Sequence, residues 1–105
     1  MASSNKKIMI AQMLSPDLAF RHNAKRLIEE LESYPENDVV LDFSDVRTIT
    51  RSFAHEYLSR KAETSKTIIE IRMPSNVKKM FQVVKNASAK TKLFDKDDSK
   101  TILLS

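Results

Sequence analysis

Three neighbouring side chains, Thr50, Arg51 and Ser52, place two hydroxyls around a guanidinium inside the run ITRSFAHEYL, residues 49–58. A hydroxyl can accept a phosphoryl group or cap a helix, and a guanidinium binds carboxylates and phosphates through a planar fork of donors. The run opens β-branched and ends as a helix former, so the cluster falls where a strand gives way to a helix. A helix N-terminus also favours negative charge. The residue types therefore predict Ser52 as the N-cap, with phosphorylation at Ser52 or Thr50 as the alternative use, and Arg51 as a solvated side chain or a contact to an anionic group.

Two carboxylates, Asp42 and Asp45, stand three apart at the end of an apolar run. Open α/β sheets bind ligands at the C-terminal ends of their strands, so the pair could hold a cation or accept the free N–H groups of the turn. The two histidines, His22 and His55, have neither the HxxxH nor the HExxH spacing of a metal site. His55 and Glu56 are adjacent, and adjacent helix residues point apart, so they form no dyad.

The absences narrow the chemistry further. The chain has no cysteine and no glycine in 105 residues, where average usage would give about seven glycines. Thiol nucleophiles, Cys-rich zinc sites, the P-loop, GxGxxG and GxSxG are all missing. No nucleophile with a base, metal cluster or phosphate loop assembles, so the expectation is a non-enzyme with no cofactor. Any turn with positive φ is expected to fall to Asn or Asp, such as Asn37 beside Asp38.

These side chains need a scaffold, and hydrophobic spacing predicts one. Ile8 to Leu14 reads as a first strand, and Ser15-Pro16-Asp17 as the start of a helix to about Ser33, with Leu18, Phe20, Ala24, Leu27, Ile28 and Leu31 on its apolar face. Asp38 to Phe43 reads as a central parallel strand, buried on both faces. After Ser44-Asp45 and the run Val46 to Ile49 comes a helix with Phe53, Ala54, Tyr57, Leu58 and Ala62 recurring on one side. Thr67 to Met73 reads as a strand near an edge, and Pro74-Ser75-Asn76 starts a helix with a Val77, Met80, Phe81, Val84 stripe. Residues 95–100 read as a charged turn, and Thr101 to Leu104 as a closing edge strand.

The order β-α-β-α-β-α implies an α/β fold with a mostly parallel sheet of four strands, or five with the closing one, and three or more helices. One domain spans residues 1–105, with 1–6 expected to be disordered and 95–105 least defined. The N-terminal apolar run is interrupted by Gln12 and is too short for a membrane span, so a cytoplasmic location without membrane attachment is expected. The formal net charge is +4. Lys78, Lys79, Lys85, Lys90 and Lys92, with Arg21, Lys25 and Arg26, make a basic excess that leaves a nucleic-acid-associated role as the alternative function.

Residues 39–58, VVLDFSDVRTITRSFAHEYL, resemble STAS domains, the family of anti-sigma-factor antagonists and sulfate-transporter tails. They are most similar to an uncharacterised STAS-like branch with a DFS strand end and a T-x-S-F-A helix start, and the Leu18-Ala19-Phe20-Arg21 segment suits that branch too. The resemblance spans roughly residues 15–95. In STAS phospho-switches an Asp-Ser-Ser-Gly turn follows the strand, and a kinase of the histidine-kinase ATPase fold phosphorylates the first serine. Here Thr50 stands at the aspartate, Arg51 at the phosphorylated serine, Ser52 at the second serine and Phe53 at the glycine. Arginine accepts no phosphate, so the resemblance implies a docking surface more than a switch. That surface would comprise Ser44, Asp45, Arg47, Thr50, Arg51, Ser52, His55 and Glu56, and its first partner to consider is an ATPase of that fold.

Overall fold

A computed structural model describes the backbone of residues 5–97 and the side chains of residues 5–87. The chain is α/β. In order it forms β1 (Asn5–Met9), α1 (Ile10–Met13), β2 (Asp17–Leu18), α2 (Arg21–Glu32), β3 (Asp38–Asp42), β4 (Thr48–Ile49), α3 (Arg51–Glu63), β5 (Thr67–Ile71) and α4 (Ser75–Asp97). The strands form two parallel groups instead of the single four-stranded sheet expected: a three-stranded sheet in the order β1-β3-β5 and a two-stranded ribbon β2-β4.

β3 is the central strand, as its VVL run implies. Its Val39 and Leu41 are fully buried, and together with Ile8 and the partly buried Ile68 they face the helices. Ala24, Leu27, Ile28 and Leu31 of α2, Phe53, Ala54 and Tyr57 of α3, and Val77, Phe81 and Val84 of α4 complete that core. Each fully buried leucine or phenylalanine contributes ~1.5–3 kcal/mol by leaving water. Consecutive crossovers between neighbouring strands place α2 and α3 on the same side of the sheet, where they pack side by side, with α4 against α3.

Several boundaries differ from expectation for identifiable reasons. The first strand runs from Asn5 to Met9, not Ile8 to Leu14, and so includes Asn5 and Lys6, expected to be disordered. Its pairing with β3 ends at Met9↔Asp42; beyond that the chain turns Ile10 into the core, and Leu14 N–H closes the turn on the Ile10 carbonyl at 2.8 Å.

Ser15 does accept the Asp17 N–H, at 3.0 Å, but this bond closes a serine turn and starts no helix. Asp17 and Leu18 pair with Thr48 and Ile49, while the Pro16 carbonyl takes the Arg47 N–H at 2.7 Å. The helix begins at Arg21, which leaves Phe20 as an extended N-cap residue, 62% exposed and outside the apolar face where spacing had put it.

β5 has the opposite facing to the one its isoleucines suggest. Ile69 is 42% exposed, and Glu70 turns toward the helices, where the buried Tyr57 hydroxyl donates to it at 2.5 Å and Lys61 Nζ lies 2.9 Å away. Positive φ occurs at Asp45 (66°) and Arg72 (54°), not at Asn37. α4 continues to Asp97 through part of the expected charged turn; the closing strand at Thr101 to Leu104 lies outside the described residues. No helix among the described residues is long and apolar enough to cross a membrane.

Candidate partner-docking site

The β2-β4 ribbon positions the region. Leu18 and Ile49 pair in register, both buried, and α2 starts three residues after Leu18 while α3 starts two residues after Ile49. Thr50 locks the two starts together. Its N–H donates to the Leu18 carbonyl at 2.9 Å, and its hydroxyl donates to the Ala19 carbonyl at 2.7 Å. The same oxygen accepts the Phe53 N–H at 3.2 Å, making Thr50 the N-cap of α3. The expected cap, Ser52, is instead an exposed residue of the first turn. A cap needs extended backbone, and Thr50 has it at φ −95° and ψ 162°, whereas Ser52 is already helical.

A second set of bonds fixes the approach to this turn. Asp17 accepts from Arg47 Nη2 at 2.7 Å and from Thr48 Oγ1 at 2.9 Å. Arg47, then Thr48, hold the Asp17 carboxyl below its usual pKa. The Arg47 carbonyl accepts from Asn76 Nδ2 of α4 at 2.7 Å.

At the end of β3, Asp42 is buried at 1% exposure and its carboxylate has four donors. Ser44 contributes its hydroxyl at 2.7 Å and its N–H at 2.9 Å to Oδ1. Arg72 and Lys7 lie 2.8 and 3.3 Å from Oδ2. The Ser44 bonds chiefly, with Lys7 and Arg72 behind them, hold the Asp42 pKa at about 2. This bond to Arg72 also offsets the cost of its left-handed backbone, which is unfavourable for a residue with a Cβ. Asp42 thus serves the turn and two cations. No group of three or more His, Cys, Asp or Glu among the described residues could hold a metal ion.

The eight residues expected on a docking surface divide accordingly. Ser44, Arg47 and Thr50 are tied within the scaffold, and Glu56 is paired with Arg60 one turn on at 2.6 Å. Asp45, Arg51, Ser52 and His55 are exposed and have no side-chain partner among the described residues. Arg51, Ser52 and His55 share one face of the first turn and a half of α3.

No family model, curated protein or solved structure matches the chain. At the start of α2 stands an exposed residue that periodicity concealed. Phe20, adjacent to the Ala19 that Thr50 grips, stacks on the His22 ring at 5.6 Å between centroids and an interplanar angle of 16°. It lies four residues before Ala24 in an i, i+4 ladder, so the sequence carried no sign that it would face outward. A cleft between α3, β5 and α4, lined by Leu58, Lys61, Met73 and Lys78 among others, has a volume of about 170 Å³.

Proposed function

We propose that the chain is a non-enzymatic interaction module that binds a protein partner through the turn beginning at Ser44 and the start of α3. Arg51, Ser52 and His55 make the polar contacts, and Phe20, at the start of α2, is the apolar anchor. The observation that carries this reading is Phe20: a large aromatic ring held 62% in solvent, one residue beyond the Ala19 whose carbonyl takes the hydroxyl of Thr50, the residue before Arg51. Aromatic and arginine side chains are the residues most enriched at interaction hot spots.

The similarity of residues 39–58 to STAS domains supports the same surface. It suggests an ATPase of the histidine-kinase fold as the partner and regulation by sequestration or release as the consequence. Should that partner add phosphate, Ser52 is the acceptor, because its hydroxyl is exposed while that of Thr50 is committed to Ala19. Lys78, Lys79 and Lys85 are exposed on α4 without carboxylate partners among the described residues, which keeps nucleic acid as the second reading.

The test is affinity capture with the intact chain as bait, compared with Arg51→Glu and Phe20→Ser baits of unchanged circular dichroism. A partner identified by mass spectrometry should be lost from both variants. A partner retained by both would overturn the assignment of this surface. A mobility shift with nonspecific DNA at low salt that Lys78→Gln and Lys79→Gln abolish would favour the second reading.

A further inference from the structure

We infer that the cleft between α3, β5 and α4 is a binding site for a small amphipathic anion, a compact apolar body carrying one carboxylate or phosphate group. Part of the lining is apolar. Leu58 and Met73 are partly buried and pack against the core, and Phe81 belongs to the core itself, yet all three line the cleft. The other part is cationic. Lys78, Gln82 and Lys85 recur at i, i+4 and i+7, so one face of α4 presents two ammonium groups with an amide between them.

Charge selects the head group. Glu70 is the one carboxylate among the described lining residues, against Lys61, Lys78 and Lys85. Lys61 Nζ lies 2.9 Å from Glu70 and neutralises it. Lys78 and Lys85 are exposed and have no carboxylate partner among the described residues, so their charge is uncancelled. A cleft lined by one sign of charge focuses the field and concentrates counter-ions in it. An ammonium group binds carboxylate and phosphate alike, as a point charge.

Size selects the body. The cleft has a volume of about 170 Å³, and a cavity of ~150 Å³ takes one benzene ring. A single ring or a short branched chain therefore fits, whereas inorganic phosphate would leave the apolar lining unused. One side of the cleft is also fixed in advance, because Glu70 holds both Lys61 and the Tyr57 hydroxyl. Such preorganisation lowers the cost of binding. None of the lining residues belongs to the docking surface at the start of α3, so the two assignments stand or fall separately.

The test is titration of the full chain, ¹⁵N-labelled and carrying ¹³C-methyl methionine, with benzoate, phenyl phosphate, benzamide and inorganic phosphate. Benzoate or phenyl phosphate should shift the Met73 methyl and the Lys61 and Gln82 amides saturably, and the tighter of the two identifies the head group. Benzamide keeps the ring without the charge, and inorganic phosphate keeps the charge without the ring. Each should bind at least fivefold more weakly than the aryl anion. Lys78→Gln combined with Lys85→Gln should weaken the aryl anion at least fivefold, and both side chains are exposed, so the fold is retained. Absence of saturable shifts, benzamide or inorganic phosphate binding as tightly as the aryl anion, or a double variant without effect would overturn the inference. So would shifts of these resonances by nonspecific DNA and by neither aryl anion, since that assigns the lysines to a nucleic-acid backbone.

Discussion

Thr50 and Ala19, on different connections of the fold, are joined by a 2.7 Å bond from the threonine hydroxyl to the alanine carbonyl, and the same oxygen caps α3. One side chain therefore sets both the start of α3 and its alignment with α2. Thr50→Val keeps the shape and removes both bonds, so it should destabilise the fold by about 1–2 kcal/mol, the usual cost of losing a cap. Ser52→Ala should stay within ~0.5 kcal/mol, as an exposed substitution away from such features does. Urea unfolding of the two variants measures both, and the reverse ranking would restore Ser52 as the cap.

Asp42 gives the fold a defined acid dependence. Its pKa is lowered to about 2 in the folded state, against ~3.9 in an unfolded chain. The stabilisation is thus complete above about pH 4 and is lost as pH falls through about 2. Ser44→Ala removes the hydroxyl bond, one of the two Ser44 bonds that contribute most. It should raise the Asp42 pKa toward the ordinary value and move acid unfolding to higher pH. Carboxyl-detected NMR titration of Asp42, with circular dichroism across the same range, checks both shifts.

Glu70 points inward because it meets two donors there. Burial first, and then the Glu70 carboxylate, raise the Tyr57 pKa well above its usual range, which keeps the hydroxyl protonated as a donor. Tyr57→Phe should cost about 1.5–3 kcal/mol, the range for a hydrogen bond to a charged group. Lys61 remains on Glu70, so the carboxylate is not left unpaired. Thermal or urea unfolding provides the measurement.

Phe20 is exposed and closes no packing in the core, so Phe20→Ser should change stability by no more than ~0.5 kcal/mol. The variant separates recognition from folding: its unfolding curve should overlay that of the wild type while partner binding falls.

Element types were legible wherever burial enforces a period. α3 and the start of α4 announced themselves through Phe53, Ala54, Tyr57 and Val77, Met80, Phe81, and β3 through its VVL run. The misreadings came from pairings between distant segments. Nothing in Asp17-Leu18 alone shows that it will pair with Thr48-Ile49, yet that ribbon delays α2 to Arg21 and turns Phe20 outward. Likewise Ile69 faces out because the register Leu41↔Glu70 brings the carboxylate to Tyr57 and Lys61. Arg51, Ser52 and His55 could be placed on α3 from helical spacing, whereas the exposure of Phe20 follows from the β2-β4 pairing that delays α2.

The proposed function has Arg51 and Phe20 acting as one docking surface. The most direct measurement is the affinity of a captured partner for the wild type, Arg51→Glu, Phe20→Ser and the double variant, by calorimetry at one salt concentration. The expected result is at least a tenfold loss for each single variant, with a loss in the double variant that departs from the product of the two, as for neighbours in one contact. Wild-type affinity in both single variants, with the fold intact, would contradict it.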